Sequence, residues 1–121
     1  MECEECKIHY GSENHHCVFK SQSKIMINMD INKKKVCTVC HKGDLGPHKN
    51  RKKDLEYKLE VQDKLKNMLP KDYYTLEGLQ KSLKLKDSQL KYIIKNLQPT
   101  NKGYETESVI RYMMGGRTYE L

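Results

Sequence analysis

The stretch "INKKKVCTVCH" (Ile31 to His41) places an asparagine, a lysine run, a Cys-x-x-Cys pair and a histidine in immediate succession. The pair Cys37-x-x-Cys40 repeats an earlier one, Cys3-x-x-Cys6, in "CEEC" near the start of the chain. A two-residue gap lets both thiolates of a pair face one ion, and two pairs complete a tetrahedral four-thiolate site. Soft thiolate ligation points to Zn²⁺ first, with iron as the other occupant the sequence allows. Four cysteines leave no open position, so this ion is expected to be structural and to tie the N-terminus to residues 37–40. Thioredoxin-like redox chemistry, the rival reading of a single Cys-x-x-Cys, has no βαβ context here. Cys17 is left over and reads as an apolar core residue.

The histidines are what such a zinc does not use: His9, His15, His16, His41 and His48. In "ENHHCVFKSQSK" (Glu13 to Lys24) two of them are adjacent, and neighbouring side chains on an extended segment point to opposite faces. One can therefore bind a metal while the other activates a water. His41 directly follows the last zinc cysteine, which would hold it rigidly beside a second, catalytic cation. Asn32, five residues before Cys37, can brace the loop or orient the base. Solvent-exposed histidines or spare zinc ligands are the plainer alternative.

The chain has 121 residues, 36% of them hydrophobic, with no Trp and one Phe. A core this thin gains from a metal staple. The net charge is +7, which suggests a polyanionic partner such as nucleic acid. The charge is uneven: residues 1–19 carry one Lys against four Glu, and residues 20–53 carry ten Lys/Arg against two Asp. The basic excess thus follows the paired histidines. Lys20, Lys24, Lys33, Lys34, Lys35, Lys49, Arg51, Lys52 and Lys53 are the candidate contacts to a nucleic-acid backbone, a solvated lysine-rich surface being the plainer reading. No apolar run approaches the ~20 residues that span a bilayer. The acidic start "MECEECKIHY" is unlike a signal peptide. A cytoplasmic location with reduced thiols, and no membrane partner, is the expectation.

Two parts are expected, residues 1–69 and 70–121. The first holds every cysteine and histidine, strand-like pieces at "CVFK" and "KIMINM", and a helix over 49–69. That helix carries Leu55, Leu59, Gln62, Leu65 and Leu69 as its stripe, widened by Tyr57, Val61 and Met68, and ends at Pro70. The second part reads as helices at "TLEGLQKSLK", "DSQLKYIIKNLQ" and "TESVIRYMMGG". Asp87 or Ser88 is the expected cap of the second, Thr106 the start of the third, and Gly115 and Gly116 its stop. "RTYEL" is read as a final strand. Helix, short turn, helix is the grammar of a helix-turn-helix or winged-helix unit, and equally of a structural or dimerising subdomain.

In succession, "CEEC", "ENHHCVF", "INKKKVCTVCH" and "GPHKNRKKD" resemble the zinc-containing HNH nucleases, particularly short phage and prophage versions. The resemblance covers roughly residues 3–66 and implies a ββα-metal fold, a hairpin and a helix gripping one divalent ion beside the scissile phosphate. By that resemblance His15 binds metal, His16 is the general base, Asn32 takes the central Asn position, with Asn28 a less well-spaced rival, and His41 is the closing metal ligand. His48 is a further ligand or a phosphate contact. Where the family has proline and glycines between the His pair and the Asn, this chain has "KSQSKIMINMD".

The expected fold is therefore small α+β, a zinc-stapled ββα-metal module followed by a mostly helical subdomain. The expected function is a metal-dependent endonuclease hydrolysing DNA, with Mg²⁺ or Mn²⁺ at the catalytic site, acting in a host cytoplasm if phage encoded. A double-strand break would need a homodimer or two sequential nicks. Two rival readings remain. One is a zinc-dependent nucleic-acid-binding module that does not cut. The other is an accessory or inhibitory protein that meets a phage or host partner through residues 70–121.

Overall fold

Strand β1 (Glu13–His16) pairs antiparallel with β2 (Lys33–Val36), with Glu13 opposite Val36 and His16 opposite Lys33. The structure, a computed structural model, describes residues 1–120. After β2 come α1 (Thr38–Lys42), α2 (Arg51–Met68), β3 (Tyr73–Tyr74), α3 (Leu76–Leu83), α4 (Asp87–Asn96), β4 (Tyr104–Glu105) and α5 (Thr106–Met113). The protein is thus a small α+β fold with five helices and two short antiparallel sheets among the described residues. None of those helices is long and apolar enough to cross a membrane.

The strands expected at "CVFK" and "KIMINM" lie elsewhere. Residues 17–29 form a looped connection whose Cys17, Val18, Ile25, Met26 and Met29 drop into the core from turns rather than from a pleat. Asn32 holds this loop. Its Oδ1 accepts from Val18 N at 2.7 Å, while Nδ2 donates to Val18 O at 3.0 Å and Met26 O at 3.2 Å. The side chain is fully buried, so it replaces a stretch of ladder that the loop lacks. Asn32→Ala leaves Val18 N and Val18 O unpaired, while Met26 O keeps its bond from Met29 N, and is expected to cost about 3 kcal/mol, a sizeable share of a small domain's stability. Urea unfolding measures it; a cost below about 1 kcal/mol would reassign the loop's order to apolar packing.

Helix α2 begins at the cap Asn50, whose Oδ1 accepts from Lys53 N at 3.0 Å. Of the expected stripe, Tyr57, Val61, Gln62, Leu65 and Leu69 face inward; Lys58 joins them, and Leu55 and Leu59 lie half-buried at the margins. The polar members are tolerated because each is satisfied. Lys58 Nζ sits 2.6 and 2.7 Å from the Asp54 carboxylate, and Gln62 exchanges two hydrogen bonds with the backbone of Tyr119. That exchange also explains why "RTYEL" forms no strand over 117–120: Tyr119 spends its backbone groups on a side chain. Leu121 lies outside the described residues.

Thr75 caps α3, its hydroxyl accepting from Gly78 N at 3.0 Å. The cap of α4 is Lys86 rather than Asp87 or Ser88, and its backbone N–H donates to Gln89 Oε1 at 2.8 Å. Asp87 instead accepts from Gln80 Nε2 at 2.9 Å, which ties α4 back to α3. Gly103 has φ +113°, and a Cβ there would lie 2.7 Å from Tyr74 O, so only glycine lets β4 approach β3. Helix α5 starts at Thr106 and stops before Gly115 and Gly116, both at positive φ, as expected.

One main core joins residues from Cys17 to Met114. Cys17, Val18, Ile25 and Met26 pack in the same cluster as Val61 and Leu65 of α2 and Leu79, Leu83, Ile93, Val109 and Met113 of the C-terminal helices. Packing shows no break at residue 70. A second cluster stands apart and is tiny: Cys3, Val36 and Cys37, with Cys6 and Cys40 against them. So few apolar atoms cannot order residues 1–12 by burial alone.

Candidate metal centres

Residues 1–12 lie against β2 through Glu4 N to Lys35 O at 2.8 Å, while Cys3 N reaches His9 O at 2.7 Å. These bonds bring the first cysteine pair to the second, at the end of β2 and the start of α1. Cys3, Cys6, Cys37 and Cys40 offer ligand atoms within 4.8 Å of one another. The Cys6 and Cys37 sulfurs are 3.9 Å apart, close to the edge of about 3.8 Å expected of a tetrahedron with 2.3 Å metal–sulfur bonds. Burial works against a Cys3 thiolate, yet backbone N–H groups of Cys6, Cys37 and Glu5 bring its pKa down to about 6. The N–H groups of His9 and Ile8 likewise lower Cys6. Cys40 is pushed the other way, by burial and by the sulfurs beside it. Four thiolates in this space repel, and a dication among them removes the conflict. The cluster can hold a metal ion such as zinc. Cys17 stays in the main core, its thiol raised to about 11 by burial.

A second cluster is made of imidazoles. Alternation along β1 sends His15 inward, 1% exposed, and Glu13 with it. Helix α1 supplies His41. The turn after α1 doubles back so closely that a Cβ on Gly46 would meet His41 O at 2.5 Å, and this returns His48 to the same place. The ligand atoms of His15, His41 and His48 again lie within 4.8 Å of one another.

Their tautomers follow from their partners. His41 Nδ1 lies 2.9 Å from Glu13 Oε1, so it donates there and leaves its Nε2 with a lone pair. That Nε2 is 2.9 Å from His48 Nε2, a contact that needs a proton or a metal ion on one of the facing lone pairs. His15 Nε2 is fully buried and has no hydrogen-bond partner. Burial, with the neighbouring His41, His48 and Lys58, drives the His15 pKa down to about 3, so its ring is neutral and able to ligate. An orphaned, neutral, buried nitrogen beside two more imidazoles is the chemistry of a cation site.

His16 leaves β1 on the other face. Its Nε2 is 3.0 Å from Ile27 O and donates to it, so Nδ1 carries the free lone pair. Burial lowers its pKa, helped by Lys20 and Lys33, against the Ile27 carbonyl, which raises it. Asn14, Phe19 and Lys20 share the surface depression that holds His15, His16, His41 and His48.

Other expected residues are placed differently. Asn32 is buried with its amide committed to the loop, so it braces the loop rather than entering the histidine cluster. Asn28 and His9 are exposed and outside the cluster. Two of the nine cations proposed for a nucleic-acid backbone are already paired. Lys34 lies 2.8 Å from Glu60, and Lys53 joins Glu5 and Glu56; both ammoniums sit over the Tyr57 ring. Lys49 has only a long contact, 3.8 Å, with the exposed Asp44. No ion pair engages Lys20, Lys24, Lys33, Lys35, Arg51 or Lys52 among the described residues.

Compared with family models, curated proteins and solved structures, the chain matches none. Its chemistry is that of the side chains just described, and three of these were not anticipated. Glu13 was within reach, since it lies two residues before His15 and shares its face. Phe19 stacks on His48 with ring centroids 5.4 Å apart, and Lys58 Nζ lies 3.9 Å over the other partner of that stack, the Phe19 ring. Nothing in the sequence distinguished Lys58, half of an ordinary i,i+4 pair with Asp54, from a solvated lysine.

Proposed function

We propose that the protein is a metal-dependent nuclease of HNH type, a zinc-stapled ββα-metal unit that hydrolyses phosphodiester bonds of DNA. The observation that carries this reading is the division of labour within β1. His15 turns a buried, unpartnered Nε2 toward His41 and His48, and His16, one residue on, keeps a free Nδ1 on the other face. A binding module needs no such pair.

In this reading His15, His41 and His48 hold one divalent cation, and Glu13 orients His41. A cation there supplies positive charge to the phosphate and to the departing 3′ oxygen. Of the two ions expected, Mn²⁺ suits three imidazoles better than Mg²⁺, which prefers oxygen ligands. His16 Nδ1 accepts the proton of the attacking water as its oxygen bonds to phosphorus and the bond to the 3′ oxygen breaks. The Ile27 carbonyl holds the His16 ring in the tautomer that makes this base available. Lys20, on the rim of the same depression, and Lys33, opposite His16 in the sheet, are placed to meet the phosphates on either side.

Plasmid relaxation tests the proposal. Purified protein with Mn²⁺ is expected to convert supercoiled DNA to nicked circles, and EDTA to stop it. If supercoiled DNA survives intact in Mg²⁺, Mn²⁺ and Zn²⁺ alike but is still retarded on a gel, the protein is a binding module. Glu13→Gln is expected to weaken Mn²⁺ binding by about 10- to 100-fold in calorimetric titration, because the carboxylate raises the donor strength of His41. Unchanged affinity would confine Glu13 to its pairing with Lys42.

A further inference from the structure

The three-residue turn Lys84–Lys86 joins α3 to α4, and Leu85 in its centre is buried in the core. Such a turn fixes the angle between two helices and presents the second as a unit. What α4 presents is Lys91, Ile94 and Lys95, all exposed, with Ser88 one turn before them. Ile94 is 55% exposed, an unusual place for a large apolar side chain between two lysines. Between residues 81 and 102 there are six lysines (Lys81, Lys84, Lys86, Lys91, Lys95 and Lys102) against one acid, Asp87. None of the six forms an ion pair among the described residues.

This surface is joined to the histidines. Gln89, in the first turn of α4, donates to Ile25 O at 3.3 Å, and His16 donates to Ile27 O at 3.0 Å, so both are tied to one three-residue stretch of loop. Lys33, across the sheet from His16, lines a cleft together with Lys84 and Lys86 of the turn; Asp30 is the acid in that cleft. Positive charge therefore runs from the histidine site through the cleft to α4.

We infer that the α3–α4 turn and the exposed face of α4 form a second nucleic-acid-binding surface, which seats α4 in the major groove of a B-form DNA duplex and leads the backbone along the Lys33–Lys84–Lys86 cleft to His16. Charge identifies a polyanion, and shape selects the duplex. A helix fits the major groove of B-DNA, whereas that of A-form RNA is too narrow. Lysines at both ends of the exposed face reach phosphates, and Ile94 between them suits the methyl group of thymine. The direction of the track toward His16 rests on the nuclease reading; the docking itself does not.

The test is fluorescence anisotropy of a labelled mixed-sequence 30-base-pair DNA with the full zinc-loaded chain and no added Mg²⁺ or Mn²⁺, so that cleavage plays no part. The triple variant Lys86→Gln, Lys91→Gln, Lys95→Gln is expected to bind at least tenfold more weakly at 100 mM salt. Its slope of log K against log salt should be shallower by about 2.7, the loss of three phosphate contacts. Ile94→Glu, an exposed change that leaves every lysine in place, is expected to weaken binding to a similar degree. A control removing the same charge elsewhere (Lys64→Gln, Lys66→Gln, Lys71→Gln) should weaken it less than threefold. Equal losses in the two triples, or none in the first, would overturn the surface, as would equal affinity for an RNA duplex of the same sequence. A failed plasmid assay with this pattern intact would sink the nuclease and leave the docking surface standing.

Discussion

Cys37→Ser is expected to weaken metal binding by the four-sulfur cluster and to disorder residues 1–12 and the α1 segment, the largest effect of any single change considered. Cys37 is the last residue before α1 and one of only three fully or nearly buried residues in the small cluster around the sulfurs. Structural zinc in small modules contributes about 10–16 kcal/mol of apparent binding free energy at neutral pH. A whole domain is stable by only about 5–15 kcal/mol. A three-sulfur site that binds zinc even several kcal/mol less tightly therefore has too little left to hold residues 1–12 against β2. The loss should reach the histidine site as well, because His41 sits next to Cys40 on the five-residue α1, far too short to persist alone. The readouts are zinc content by mass spectrometry and the amide spectrum of residues 1–48. One zinc per chain with an unchanged spectrum would show that the sulfurs are not the staple. The main core, assembled from α2, α3, α4 and α5, should survive and keep part of the helical signal.

His16→Ala is expected to lower the rate of DNA nicking by about 10²- to 10⁴-fold, the usual contribution of a positioned general base. Affinity for Mn²⁺ should stay within about twofold, because the ligands proposed for the cation are His15, His41 and His48 and none of them bonds to His16. The variant loses one hydrogen bond, to Ile27 O, at a cost of about 1 kcal/mol, so its melting temperature should move only a few degrees. Added imidazole should restore part of the rate in the cavity left behind. A variant that nicks DNA within threefold of the native chain would remove His16 from the chemistry and shift attention to His48, the most exposed of the cluster.

Much of the metal chemistry was legible because it is local. Spacing alone pairs Cys3 with Cys6 and Cys37 with Cys40, and alternation along an extended segment separates His15 from His16 whatever surrounds them. Helix ends were legible for the same reason: Thr106, Gly115 and Gly116 act within one turn of themselves. The expected strands failed because "CVFK" and "KIMINM" are apolar for the sake of a core that a looped segment reaches through turns, and hydropathy cannot tell a pleat from a plug. The α2 stripe was legible except at Lys58, which is charged by type yet is satisfied inside by Asp54.

By itself, the amino-acid sequence determined that the chain offers two groups of ligands, four thiols and a set of imidazoles, since ligand type and short-range spacing are properties of covalent order. Only the tertiary structure decided which imidazoles meet. His48 joins His15 and His41 because the backbone at Gly46 folds tightly onto His41, and Glu13 becomes the partner of His41 because β1 pairs with β2 in one register. It also decided that Lys34 and Lys53 are spent on glutamates while the lysines of α4 form no ion pair among the described residues. Burial and pairing are set by segments far apart in the chain, and no local pattern carries that information.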